Sequence, residues 1–286
     1  MKYLILFILF AISIPSIAQH KVGVRAGLNY SKFSGELEEG ENYSLGSGFH
    51  FGVNYTYLFN DFFGLRGELL YIQRGTKQSY FSEETYNFIR PPFGEKFVEF
   101  GEVDMNLEVS NAYLSIPITA QIELSRKFEV FGGLSLDFLV GPTGRGKIDF
   151  TSRDNPLDIF YIQSYDHRYG SDLPAQFNTI SQQSIAIIVD GERLDIPKIV
   201  GAYYIFDSEE KTGKRFKSVD SHLILGANYF INTGFYIGVR AEYGLADITN
   251  NEMDISLTEL GPENSFILRN DKDNSLNFSV SFGFRF

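Results

Sequence analysis

Three stretches of this 286-residue chain carry residue types whose spacing suggests chemistry. "GPTGRGK", from Gly141 to Lys147, has the G-x-x-x-x-G-K spacing of a phosphate-binding loop and follows an apolar run. The next residue is Ile148 rather than Ser or Thr, and "IDFTSRDNP" has no helical period. Without a helix N-terminus to receive phosphate the motif has no mechanism, so its glycines are read as letting a strand leave a sheet. "SYDHRYG" puts Asp166 next to His167, with Ser164 and Ser171 nearby, the residue types of nucleophilic hydrolysis. Sequence neighbours are not thereby catalytic neighbours, and a surface histidine is the reading adopted. "NDKDNS", from Asn270 to Ser275, has the opening of a calcium loop but not its glycine or closing glutamate. Of four histidines, His50 and His222 fall in strand-like runs, and no metal-ligand spacing emerges. With no cysteine, disulfides, thiolate metal sites and a cysteine nucleophile are all excluded. The chain is therefore expected to be a non-enzyme without a cofactor.

A different set of charges is more informative. Arg25, Arg66, Glu68, Glu123, Asp137, Arg240, Glu242 and Arg285 all lie on the polar register of alternating runs, four basic and four acidic. Charges on an enclosed face must pair, so these eight are expected to form an ion network inside the fold.

The elements that position them are strands. The last run, "NSLNFSVSFGFRF", puts Leu276, Phe278, Val280, Phe282, Phe284 and Phe286 on one face and Ser, Asn, Gly and Arg on the other. Such period-two alternation marks a strand with two environments. The same pattern begins near Val22, Phe49, Phe63, Ala112, Phe128, His222 and Phe235, making eight strands. In the second Phe-led segment, Phe63, Leu65, Leu69 and Tyr71 oppose Arg66, Glu68 and Arg74. Three connections are tight, near Asn60, Arg126 and Asn232. Four are long and polar, roughly 34–45, 81–106, 143–217 and 248–271, and the two classes alternate strictly. Short turns at one end and long loops at the other are the asymmetry of an outer-membrane barrel. The fold class expected is thus all-β, a closed antiparallel up-and-down transmembrane β-barrel of eight strands. Ten is the alternative if strand-like runs within the long surface loop 143–217 join the wall, but Pro197 and a turn without aromatic flanks favour an extension above the membrane. The Phe-rich face then looks toward lipid, and closure leaves no unpaired backbone there.

Composition agrees. Tyr and Phe number 17 and 28, yet charged residues make up 21%. Residues 1–18 read as a signal peptide: Lys2, an apolar stretch from Tyr3 to Ile14, then Ser16-Ile17-Ala18. Residues 19–286 follow as one barrel domain. The net charge of −11 becomes −12 once Lys2 leaves, 24 basic against 36 acidic side chains, which argues against nucleic acid as a partner. The first long connection holds Glu36, Glu38, Glu39 and Glu41 and no base. An anionic rim can bridge to lipopolysaccharide phosphates through divalent cations or stand simply solvated.

The "VGVRAGLNYS" first strand, the "YLSIPI" stretch around Tyr113, Leu114, Ile116 and Pro117, and the terminal "FGFRF" resemble the PorT-like outer-membrane β-barrel family of Gram-negative bacteria. The resemblance implies the bacterial outer membrane, contact with its lipid and lipopolysaccharide, and a role beside a secretion or surface-assembly apparatus. It also implies that Phe282, Phe284 and Phe286 act as a C-terminal signal for the barrel-assembly machinery. The function expected is structural or interactive, with protein partners met through the outer loops. The alternatives are a small transport or ligand-binding barrel and a rim enzyme acting on lipid or peptide.

Overall fold

A computed structural model describes residues 19–91, 94–167, 184–207 and 209–286. The signal-peptide reading and Ser171 lie outside the described residues. In chain order the strands are β1 (His20–Ser34), β2 (Glu41–Leu58), β3 (Phe63–Ile89), β4 (Phe97–Ser125), β5 (Phe128–Ser152), β6 (Phe160–His167), β7 (Ser184–Val189), β8 (Glu192–Pro197), β9 (Ile199–Val200), β10 (Val219–Phe230), β11 (Phe235–Gly244), β12 (Ile255–Leu260), β13 (Phe266–Leu268) and β14 (Asn274–Arg285). Eight close a ring in the order β1-β2-β3-β4-β5-β10-β11-β14, every neighbour antiparallel. No helix among the described residues is long and apolar enough to cross a membrane.

The ten-stranded alternative is not realised. β5 pairs directly with β10, from Phe128 opposite Tyr229 to Phe138 opposite Val219, and the ring closes there. Above that point the same edge of β5 takes β6 as its partner, starting at Gly144 opposite His167. The exchange follows a register shift at Ala112–Tyr113, where Leu139 and Gly141 face the neighbouring strand and Pro142 offers no N–H. The glycines of "GPTGRGK" therefore sit inside a continuous strand, just where it leaves the barrel wall. The turn between β7 and β8 is Asp190-Gly191, both at positive φ, the backbone that a two-residue hairpin needs.

Several expected loops are largely strand. The connection expected at 34–45 shrinks to 35–40, and that at 81–106 to 90–96. The 143–217 segment begins within β5 and contains β6 to β9, while 248–271 contains β12 and β13. The reason is legible on β4, which at 29 residues is far longer than a membrane crossing requires. Along its lower half Leu114, Ile116, Ile118 and Ile122 point outward, and Ser115, Thr119 and Gln121 are buried inside. Along its upper half Glu102, Asp104, Asn106 and Glu108 point outward, and Val103 and Leu107 are buried. Alternation persists but its polarity inverts. The outer solvent changes from hydrocarbon to water, so the inner face changes from polar lumen to apolar core. Polar residues in the upper half therefore mark the wetted face of a strand and not a loop.

Tall β3, β4, β5 and β6 carry a hydrophobic core on their inner side. Tyr80, Val103, Phe150, Ile159 and Tyr161 pack with Ile187 and Ile196 of the β7–β8 hairpin. Burying each isoleucine fully is worth about 1.5–3 kcal/mol, which holds the hairpin against the sheet.

At the opposite end two of the tight turns use the same device. Asn60 Oδ1 accepts from the N–H of Phe62 at 3.1 Å and of Phe63 at 2.8 Å. Asn232 Oδ1 accepts from Gly234 at 3.0 Å and Phe235 at 2.7 Å. A short side chain that imitates a backbone acceptor is why Asn is favoured here. Asn60→Ala is expected to cost about 1 kcal/mol, read as a lower urea midpoint of the barrel in phospholipid vesicles. An unchanged midpoint would show that the flanking strands set the turn unaided.

Candidate functional site: the filled lumen and the extracellular cap

Closing eight strands leaves an interior only wide enough for side chains. Here that space is filled by two chains of alternating charge. The lower chain runs Lys21–Glu123 (3.3 Å), Glu123–Arg285 (3.0 Å), Arg285–Glu129 (3.1 Å) and Glu129–Arg66 (2.6 Å). The upper chain runs Arg25–Glu68 (3.4 Å), Glu68–Arg240 (2.6 Å), Arg240–Glu242 (3.4 Å), Glu242–Arg74 (2.8 Å) and Arg74–Asp137 (2.8 Å). It continues to His222 at 2.7 Å from Asp137, and Asp220 stands 3.4 Å from the same ring. Phe131 joins the chains, with the guanidiniums of Arg66 and Arg240 at 5.6 and 5.3 Å from its ring centre. Each contact replaces water that the charges lose on burial.

All eight charges singled out from the sequence stand in these chains. Lys21, Arg74, Glu129, Asp220 and His222 complete them. Arg74 and Glu129 share the register of Arg66 and Asp137 on their own strands, so parity was the signal available for them. Asp220 and His222 sit near the start of β10, where the run of alternation begins. Neutral partners add further bonds. Asn228 donates to Glu129 at 2.8 Å, Asn277 donates to Glu242 at 2.7 Å, and Arg25 donates to Ser281 at 2.6 Å. Glycine makes room for one interior ring. A Cβ on Gly283 would stand 2.1 Å from the Tyr236 ring, which is why the terminal "FGFRF" has glycine at its inward position.

His222 also meets Ser275, Nε2 to Oγ at 2.5 Å, so carboxylate, imidazole and hydroxyl stand in the order of a hydrolytic triad. Asp137, His222 and Ser275 are 0%, 0% and 3% exposed, which leaves a substrate no approach to the hydroxyl in this arrangement. Above them Phe33, Phe216 and Ile248, backed by Val109 and Leu139, form an apolar cork at the outer mouth of the lumen.

The expectation of a surface histidine at 167 is corrected. His167 is buried, its ring edge against Tyr203 with centroids 5.5 Å apart. It lies on β6, where neighbouring residues face opposite sides, so Asp166 and His167 diverge as alternation requires. Phe282 and Phe284 look outward from β14, and the N–H of Phe286 donates to Val22 O at 2.8 Å.

The cap above the rim encloses a cavity of about 150 Å³, lined by Tyr80, Phe88, Met105, Tyr165, Tyr204 and Phe206 among others. Its walls come chiefly from β3, β4, β6 and residues 200–206 and 253–257. At its edge Arg269 pairs with Glu41 at 3.1 Å, and Arg90 pairs with Asp207 at 2.5 Å.

A ring of eight strands with an apolar exterior, a polar filled interior and tall strands on one side defines an outer-membrane β-barrel. The sequence matches the outer membrane protein beta-barrel domain over residues 17–250, and the chain belongs to that family. Its location is the bacterial outer membrane. No curated protein matches the chain. Among solved structures it is similar to the attachment invasion locus protein Ail of Yersinia pestis, at 12% identity and TM-score 0.35, covering 94% of this chain and 99% of that one. It is similar also to the outer membrane protein OprG from Pseudomonas aeruginosa, at 13% identity and TM-score 0.33, covering 94% and 96%. The outer membrane protease OmpT from Escherichia coli aligns at 9% identity and TM-score 0.30, covering 96% and 99%.

Proposed function

We propose that this protein is a non-enzymatic outer-membrane barrel of structural or interaction type, whose extracellular cap meets protein partners. The observation that carries the reading is the division of labour along the barrel axis. The lumen is occupied by paired charge and closed by the Phe33–Phe216–Ile248 cork, while the cap has hydrophobic cores of its own. A protein that invests so much chain outside the membrane, and leaves so little space within it, is suited to contact and not to passage. The likeness to PorT-like barrels extends this reading to a secretion or surface-assembly apparatus. Incorporation into planar bilayers is the test. No steady single-channel steps are expected, and discrete ohmic conductance would refute the filled-lumen reading.

A ligand-binding barrel is the second reading, favoured by the cap cavity and its aromatic lining. It places a small apolar molecule in the cap without transport through the lumen. Crosslinking in native membranes separates the two, because partner capture through the 143–217 segment follows only from the first.

Assembly is part of the same proposal. Phe282, Phe284 and Phe286 form the outward aromatic end that the assembly machinery reads. Deleting Phe286 also removes its bond to Val22 and is expected to lower the amount of folded barrel in the outer membrane severalfold, measured by heat-modifiable migration. Wild-type levels in the deletion variant would remove these residues from that role.

A further inference from the structure

In the "NDKDNS" stretch Ser275 meets His222, and its two aspartates are used by nothing described so far. Its Asp271 and Asp273 come together with Asp254, and one carboxylate oxygen from each lies within 4.8 Å of the others. The two legs of the 245–273 connection are fastened to each other to produce this cluster. The N–H of Arg269 donates to Asp254 O at 3.0 Å, and that of Ile248 to Asp273 O at 2.9 Å. Asn251 Nδ2 donates to Asp271 O at 3.0 Å.

Carboxylates that gather by accident on a surface are solvated. These are not. Asp273 is 2% exposed, and the Asp271 side chain is 6% exposed. Asp273 Oδ2 accepts from Thr249 at 3.0 Å, and Asp271 Oδ2 accepts from Arg269 at 2.5 Å. The second oxygen of each, Oδ1 in both cases, is buried and has no donor. Leaving a buried carboxylate oxygen unmatched is costly, and two such oxygens in one cluster call for a shared positive ligand. Gly35 at the end of β1 permits the approach, since a Cβ there would stand 2.2 Å from Asp273 Oδ1.

The nearby cations do not fill the gap. Arg269 is engaged by Asp271, Glu41 and the Glu36 carbonyl, and Arg215 reaches Asp254 only at 3.9 Å. With Glu41 and Glu38 also turned to Arg269, carboxylates outnumber the two guanidiniums, which leaves room for a cation.

We propose that Asp254, Asp271 and Asp273 bind a calcium ion that clasps together the two legs of the 245–273 connection at the outer rim of the barrel. The donor set is all oxygen, which excludes the softer metals that prefer His or Cys. Three carboxylates on irregular backbone suit the variable coordination of calcium better than the strict octahedron of magnesium. Arginine neighbours lower the affinity, so the site belongs with the extracellular class, at a Kd of about 0.1–1 mM.

The test uses the full mature chain folded in detergent, titrated calorimetrically with calcium chloride, with limited proteolysis of the cap as a second readout. One saturable ion is expected, together with protection of the cap that a chelator reverses. Asp273→Asn is expected to weaken binding tenfold or more. In calcium-free buffer its cap should resist protease at least as well as the wild type, because one unmatched charge is gone, but calcium should add nothing. Glu39→Gln, on the exposed part of the first connection, should bind as the wild type does. Absence of saturable binding below about 10 mM in the wild-type protein overturns the proposal, since even the weak extracellular class would then be filled. Retention of binding in both Asp273→Asn and Asp254→Asn overturns it equally. Should Asp273→Asn fail to show the heat-modifiable shift of a folded barrel, Asp254→Asn and the wild-type titration decide.

Discussion

Replacing Glu68 by alanine is expected to destabilise the barrel by about 3–5 kcal/mol, the cost of leaving buried charge without its partner. Glu68 stands between two arginines, Arg25 at 3.4 Å and Arg240 at 2.6 Å. All three side chains are sealed inside the lumen. Losing the carboxylate sets two guanidiniums facing each other, and Arg240 retains only Glu242 at 3.4 Å. The comparison is Asp149→Ala on the outer face of β5. Its partner Lys147 stands at 2.6 Å, as close as Arg240 is to Glu68, but on a solvent face with side chains 54% and 36% exposed, so the expected loss is at most about 1 kcal/mol. Distance alone does not separate Glu68–Arg240 from Asp149–Lys147, whereas burial ranks them as stated. Urea unfolding in phospholipid vesicles, followed by tyrosine fluorescence, measures both. Equal losses would mean that water reaches the lumen charges, and the filled-lumen account would fail.

Ile118→Arg is expected to cost about 2–4 kcal/mol, the penalty for a cation facing lipid near mid-membrane. Ile118 lies in the middle of the outward apolar run from Leu114 to Ile122 on β4 and is 55% exposed. Asn106→Arg is made on the same strand and the same outward face, twelve residues nearer the start of β4. There the expected change stays within about 0.5 kcal/mol, as for an ordinary surface substitution. One face of one strand thus meets two solvents. Equal responses at the two positions would remove the inversion of polarity from which the membrane boundary was drawn.

How much of this was legible beforehand depends on the range of each interaction. Alternation at Val22, Phe235 and Leu276 is written in adjacent residues, and so are the strands and the lumen-facing register of Arg25, Arg240 and Arg285. Arg74 carried the same parity signal as Arg66 and Glu68, and its partners Asp137 and Glu242 come from strands far along the chain. The polar upper part of β4 was misread as a loop because polarity alone does not say which face is wet. Val103 and Leu107 pointing inward supply that information only once a core exists for them to enter. His167 read as exposed for the same reason, since the Tyr203 that covers it lies 36 residues away.

The amino-acid order by itself determined a barrel, its lipid-facing side, its short and long ends and the charges that enter the lumen, because period-two patterning acts between neighbours. Only the tertiary structure decided that eight strands close the ring, that a cork sits over the ion chains, and that Asp254 joins Asp271 and Asp273. Those outcomes depend on which distant segments share an edge or a cavity, and the balance of burial against charge there is settled when the strands pair and the cap folds over them.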